Sequence, residues 1–327
     1  MKLLVGDIGG THCRLALARV DGMRVALDGV RRYHNAEHPG IEAILADYLA
    51  GTACEAACLA VAGPTDGRRV EFTNLDWRID ADQLERAPGL PRVELVNDFV
   101  AVGWGLNALQ ADETASLQAG SSGASGVRIA MGAGTGLGVS ICVPRSGAHH
   151  PIPTEGGHIA FAPMDEEQDR LLEFMRGLYG RVSVERLLSG PGIVDLYRFC
   201  IAESEKAEAA DALLAAPHPA EAISSAGLHA DDADAARCLR LFCRLYGQVA
   251  GDIALLAGAR GGVYLAGGIA PKLLRALAAP DFLAGFHAKG RFSDWIRDIP
   301  VHVVLDPDIG LKGAAVAAIH ASHGRVA

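Results

Sequence analysis

The chain has 327 residues, half of them hydrophobic, with 30 Lys and Arg against 39 Asp and Glu for a net charge of −9. That size and apolar content suffice for two domains with separate cores, and the acidic balance argues against a nucleic-acid partner, which needs a clustered basic surface. Seven cysteines at 13, 54, 58, 142, 200, 238 and 243 form no paired framework and point to a reduced cytoplasm. The opening apolar run breaks at Asp7, too soon for a signal-peptide core, and no uncharged stretch approaches the length of a membrane span.

Residues 1–20 (MKLLVGDIGGTHCRLALARV) read as strand, tight turn, strand. Gly9 and Gly10 permit unusual backbone conformations and let a phosphate approach the main-chain amides, while Asp7 and Thr11 add a carboxylate and a hydroxyl. An ordinary glycine hairpin is the competing reading of this motif alone. A Walker loop is excluded, since no Gly-Lys-Ser/Thr occurs, and a dinucleotide fingerprint is excluded because a LALA strand, not a helix, follows the glycines.

Residues 25–33 supply a third strand, and residues 40–50 carry Ile41, Ile44, Leu45, Tyr48 and Leu49 at helical spacing. Residues 57–62 (ACLAVA) form a buried strand ending at Gly63-Pro64, and a further strand at 70–73 leads into Thr73-Asn74, which reads first as turn chemistry. The strand at 93–96 runs directly into Asn97-Asp98 and a helix over 99–106. Either residue could simply cap that helix. Polar side chains at the carboxyl end of a buried strand are also where α/β folds place ligand chemistry, and an Asp there could accept a proton from a substrate hydroxyl.

Residues 111–126 are small, polar and glycine-rich, which suggests a crossing between domains near 108–126. Residues 127–143 (VRIAMGAGTGLGVSICV) then repeat the opening pattern, with Gly132, Gly134, Thr135, Gly136 and Gly138 in the turn. Two such hairpins, one per domain, could hold the phosphates of one nucleotide from both sides. In residues 153–158 (PTEGGH), Glu155 and His158 flank two glycines; zinc would want further ligands, and no cysteine lies between Cys142 and Cys200. Asp165 heads a helix in a capping box with Gln168, and Leu171, Leu172, Met175 and Leu178 form its core stripe. Ser183 reads as an N-cap with Glu185 in the first helical turn, a structural role.

Residues 193–237 show helical patterning and an acidic, alanine-rich stretch without visible chemistry. A helix over 238–257 and a buried strand over 262–266 follow. Gly267-Gly268 ends that strand, and Pro271 reads as the first residue of a helix whose free amides face an anion or nucleoside. Lys289 and Arg291 are two cations that a surface turn explains equally well. A strand at 301–305 and a helix at 310–320 close the chain.

Six motifs, GDIGGT at 6–11, ND at 97–98, GAGTGLG at 132–138, EGGH at 155–158, SVERLLSGPG at 183–192 and LAGGIAP at 265–271, resemble in order and spacing those of the bacterial hexokinase-type glucokinases. The resemblance implies an α/β fold of two ribonuclease-H-like, actin-like ATPase domains flanking a cleft, with residues 1–108 plus about 307–327 in the small domain and 109–306 in the large one. It implies ATP-dependent phosphorylation of the 6-hydroxyl of glucose in the cytoplasm, with Asp98 as the base and Asn97, Glu155, His158 and Glu185 holding the other hydroxyls. MgATP would be bound by Gly6, Asp7, Ile8, Gly9, Gly10, Thr11, Gly132, Gly134, Thr135, Gly136, Gly267 and Gly268. The small domain should close on the large one when sugar binds. Glucose and ATP are the expected partners, without nucleic acid or membrane; a homodimer is compatible with the resemblance.

Two departures stand out. The residue after GDIGGT, commonly Asn in that family, is His12, which bears on the turn geometry. The related ROK sugar kinases carry a Cys-x-Cys-Gly zinc motif after EGGH that this chain lacks, so the zinc-free branch is expected. The rivals are a ROK-type kinase of another hexose or N-acetylhexosamine, an actin-like ATPase without a sugar loop, and a sugar-sensing regulator, which would add a basic helix-turn-helix.

Overall fold

A computed structural model describes residues 1–63, 65–72, 77–86, 89–121, 123, 125–204 and 210–323. Thr73 and Asn74 lie outside the described residues. The strands are β1 (Lys2–Ile8), β2 (His12–Asp21), β3 (Arg24–His34), β4 (Ala56–Val61), β5 (Arg69–Glu71), β6 (Arg78–Asp80), β7 (Val93–Asn97), β8 (Thr114–Gln118), β9 (Arg128–Ala133), β10 (Leu137–Arg145), β11 (Ala148–Pro153), β12 (Gly262–Ala266) and β13 (Val301–Val304). The chain folds into two compact units: Met1–Glu113, Cys142–Pro153 and Asp306–Ala327 in one, Thr114–Ile141 and Thr154–Leu305 in the other.

A five-stranded sheet runs β3-β2-β1-β4-β7 and a six-stranded one β11-β10-β9-β12-β13-β8. β4 is parallel to β1 and β7, and β12 is parallel to β9 and β13. The repeat visible in residues 127–143 therefore extends to topology: each sheet places a strand-turn-strand element beside two parallel crossover strands, and the class is α/β.

In the first unit, β1 alternates its side chains between two cores. Leu4 and Ile8 join Leu15, Ile44, Leu59 and Leu95 on one face. Leu3 and Val5 join Ala16, Cys58 and the Leu311, Ala314, Ala315 and Ala318 stripe of the helix Ile309–His323 on the other. That helix crosses the helix Asp98–Gly105 backbone to backbone, because a Cβ on Gly313 would strike the Ala101 carbonyl and one on Gly105 the Ile309 carbonyl. β4, read as a buried strand, is buried at all six residues, as a strand flanked on both sides by parallel neighbours requires.

The second unit is built around the helix Ala233–Ala257, whose Phe242, Leu245 and Tyr246 are fully buried. Gly247 and Gly285 let the helix Pro280–His287 approach it, as a Cβ on either would meet the carbonyl of Phe282 or Arg244.

Several local readings need correction. The polar crossing at 111–126 contains β8, an edge strand half-exposed along most of its length, so no apolar run announces it. Leu178 is 50% exposed because the apolar stripe of the helix Glu166–Tyr179 leaves the core at its last turn. Ser183 heads only a 3-10 turn and makes no side-chain cap bond; the helix Gly190–Ala202 is capped instead by Ser189, whose hydroxyl accepts from Gly192 N–H. Pro271 is the third residue, not the first, of a four-residue helix Ile269–Lys272. Lys289 is a buried structural cation, with Nζ 2.7 Å from Asp252 Oδ1 and 2.8 Å from the Gln248 carbonyl. Among the described residues no helix is long and apolar enough to cross a membrane.

Candidate active site

In the first unit, β1 and β2 are joined by Gly9, Gly10 and Thr11, closed by a Gly9 N–H bond to the His12 carbonyl at 2.9 Å. His12 begins β2 and its ring packs edge-on against His34, so the family's departure at this position leaves the hairpin intact. Neither Gly9 nor Gly10 has a left-handed φ. What their lack of a side chain supplies is space, since a Cβ on Gly10 would meet nothing within 4 Å, in room open to a ligand. Gly6 and Ile8 are part of the scaffold: a Cβ on Gly6 would sit 2.7 Å from a Leu59 methyl, and Ile8 is fully buried.

Asn35, which carries no signal in the sequence, fixes the hairpin's underside. Its Nδ2 donates to the Gly9 carbonyl at 2.8 Å and its own N–H to the Thr11 carbonyl at 2.9 Å. These bonds tie the Gly9 and Thr11 carbonyls inward, while Gly10 and Thr11 stay exposed at the tip. Nothing in the local sequence distinguishes this Asn from a surface turn residue.

The carboxyl end of β7 carries the next pair. Asn97 is the helix cap, its Oδ1 accepting from Phe99 and Val100 N–H while its Nδ2 reaches the Gly63 carbonyl. The cap is therefore Asn97, and Asp98 Oδ1 takes the Phe99 N–H at 2.8 Å. Burial, with repulsion from Asp7, pushes the Asp98 carboxyl up from the usual 3.8 to about 6 against the pull of the Phe99 N–H. Asp7 is likewise raised, first by burial and then by Asp308, with Arg14 opposing. Arg14 ties these groups together: Nε lies 3.9 Å from Asp7 Oδ2, and Nη2 lies 2.8 Å from Asp308 Oδ1, at the head of the last helix. No spacing rule links residues 14 and 308, so this tie is not legible in the sequence.

In the second unit, the Gly134-Thr135-Gly136 turn is closed by Gly134 N–H to the Gly136 carbonyl, and Gly190 N–H bonds the Gly134 carbonyl, both at 2.8 Å. Gly132 lies inside β9, opposite Ala266 of β12. Gly267 adopts φ 79° beside the Ala133 carbonyl, a turn that favours glycine, and a Cβ on Gly268 or Gly134 would meet nothing. These glycines gather at the carboxyl ends of the adjacent parallel strands β9 and β12, where α/β folds place their ligands.

The EGGH loop rests on the first turn of β10. A Cβ on Gly157 would collide with the Leu137 carbonyl, and Thr154 Oγ1 donates to the Val139 carbonyl. The loop also pairs with residues 182–184 through Phe161 N–H to Val182 O and Val184 N–H to Ile159 O. The segment carrying Glu155 and His158 is thus bonded to the one carrying Glu185: His158 Nε2 lies 3.9 Å from Glu155 Oε2, and Glu185 Oε2 accepts from Leu137 N–H at 2.9 Å. Among the described residues no group of three or more His, Cys, Asp or Glu is arranged to hold a metal ion.

Exposed glycine turns on two sheets of repeated order, with a buried-strand carboxylate of raised pKa, are features expected of a phosphotransferase acting on a hydroxyl. A family model described as Glucokinase matches residues 4–321. Glucokinase of Caulobacter sp. (strain K31) is 40% identical over 317 residues, covering 96% of this chain and 94% of that protein. Among solved structures, a glucokinase from an Antarctic psychrotroph matches at TM-score 0.84 and 30% identity, over 98% of this chain and 99% of that one. One from Balamuthia mandrillaris, in complex with glucose, shares the fold at TM-score 0.77 and 23% identity, over 97% and 93%. The chain belongs to the glucokinase family, the one its six ordered motifs indicate.

Proposed function

We propose that the protein transfers the terminal phosphoryl group of MgATP to the 6-hydroxyl of D-glucose, giving ADP and glucose 6-phosphate. The observation that carries this reading is Asp98: a carboxylate at the end of a buried parallel strand, with one oxygen anchored on Phe99 N–H and a pKa raised to about 6, in a unit that also holds an open glycine turn. A base of that strength is ionised at neutral pH yet able to take a hydroxyl proton as the oxygen attacks. Asn97, Glu155, His158 and Glu185 are the groups we assign to the remaining hydroxyls. The amides of residues 10 and 11 and of residues 135 and 136 are assigned to the nucleotide together with Asp7, Gly267 and Gly268, while the Gly9 and Gly134 amides close the two turns. Mg²⁺ carried on ATP would supply charge neutralisation on the phosphates; at Gly10 in the first unit, and at Gly134 and Gly268 in the second, an added Cβ would meet nothing within 4 Å, which leaves each turn open to such a ligand. Zinc has no part in the proposal, and a cytoplasmic location accompanies it.

The test is product identity. Purified protein with MgATP and glucose should yield glucose 6-phosphate by ³¹P NMR at a rate that follows enzyme concentration. Formation of ADP and free phosphate alone, equal with and without glucose, would refute a hydroxyl acceptor.

A further inference from the structure

Leu137 closes the second glycine turn and opens β10, and its peptide unit is held from two sides. Its N–H donates to Glu185 Oε2 at 2.9 Å, and its carbonyl presses on Gly157 of the EGGH loop, where a Cβ would not fit. The preceding residue is Gly136, and the three atoms nearest to a Cβ there all belong to Glu185, with Oε2 at 2.5 Å, Cδ at 3.2 Å and Cγ at 4.0 Å. Gly136 is outside the left-handed region, so its backbone conformation does not call for glycine. The space it leaves is filled by the carboxylate of Glu185. The second carboxylate oxygen of Glu185 has no hydrogen-bond partner among the described residues.

We propose that Gly136 and Leu137, nucleotide-turn residues by position, are positioning residues of the sugar subsite: they set the carboxylate of Glu185, which is shared between turn and sugar. One oxygen is committed to the Leu137 amide and the other is presented to a hydroxyl. This rests on the assignment of Glu185 to the sugar. Because one carboxylate serves both substrates, ordering it for one orders it for the other, and by linkage the coupling is reciprocal. A methyl group on residue 136 leaves the turn's backbone held through Gly134 and Gly190, so the relief falls on the flexible end of Glu185, which must swing off the Leu137 amide.

Calorimetric titration of glucose in the absence of nucleotide tests this with Gly136→Ala, Gly134→Ala and Glu185→Ala. Gly136→Ala should weaken glucose binding about tenfold, the loss of one well-placed hydrogen bond to a charged group. Gly134→Ala, on the same turn but with open space at its Cβ, should leave glucose affinity within about twofold. Wild-type glucose affinity in Gly136→Ala overturns the inference. A wild-type glucose affinity in Glu185→Ala instead removes the sugar role of Glu185 itself. Where Gly136→Ala does not fold, ADP titration of Glu185→Ala without sugar decides: weakened ADP binding supports the shared carboxylate, and unchanged ADP binding overturns it.

Discussion

Replacing Asp98 with Asn should stop turnover and at the same time stabilise the protein. The amide is nearly isosteric and its oxygen can still accept the Phe99 N–H, so the N-terminus of the helix Asp98–Gly105 keeps its bonds. What disappears is a negative charge that burial and the nearby Asp7 disfavour, enough to move the carboxyl from 3.8 to about 6. At about 1.4 kcal/mol per tenfold change in proton affinity, the ionised form costs the fold on the order of 3 kcal/mol. Partial exposure of the side chain and solvent screening reduce this to about 1–2 kcal/mol. The sign follows from linkage: between 3.8 and about 6 the unfolded chain has released this proton while the folded chain still holds it. Wild-type stability therefore falls as pH rises through that window and is level above it. Asn carries no such proton. Scanning calorimetry at about pH 7.5 should show the variant melting about 2–4 °C higher, with the gap closing near about pH 4. Meanwhile kcat should fall by about 10² or more. An equal or lower melting temperature at the higher pH, or a gap that persists at the lower one, would refute the electrostatic reasoning; near-wild-type kcat would refute the base.

In the wild type, kcat/KM should fall on the acid side with an apparent pKa of about 6, because Asp98 must be ionised to act; a profile flat through that value contradicts the assignment. Asn35→Ala should raise KM for ATP about tenfold while leaving glucose affinity near wild type, since it frees the Gly9 carbonyl beneath the first turn. Initial rates at varied ATP check this, and an unchanged KM for ATP removes Asn35 from the site. Activity should require Mg²⁺ and survive a zinc-selective chelator with Mg²⁺ in excess; one equivalent of zinc per chain by metal analysis would contradict that.

The parts of this fold written in local pattern are legible in the sequence. Both glycine turns, the buried run at β4 and the Asn-Asp step after β7 each carry their signal within about a dozen residues. The failures share a physical origin in contacts between residues distant in sequence. β8 is an edge strand with polar, half-exposed positions and so imitates a linker. Lys289 reads as a surface cation because the groups that bury it, Asp252 and the Gln248 carbonyl, lie far earlier in the chain. Glu185 reads as a first-turn carboxylate favouring a helix dipole, whereas its partner is the amide of Leu137 at the start of β10. Asn35 and the Arg14–Asp308 tie are of the same kind. Gly9 and Gly10 illustrate a subtler limit: glycine stands out there in the sequence, but the gain is open space rather than a left-handed backbone.

The central claim is a kinase whose pocket is fitted to glucose. A site built to pair a sugar hydroxyl strands buried donors and acceptors when that hydroxyl is replaced, at about 1–3 kcal/mol per group, and an N-acetyl group at C2 also needs room that the Glu155–His158 loop would have to yield. The most direct measurement is kcat/KM over a panel of glucose, mannose, N-acetylglucosamine and N-acetylmannosamine with MgATP, followed by ADP release. Glucose should be the best substrate, mannose weaker, and the N-acetylated sugars at least about tenfold worse than glucose. Either N-acetylated sugar matching glucose, or no sugar accelerating ADP release, would contradict it.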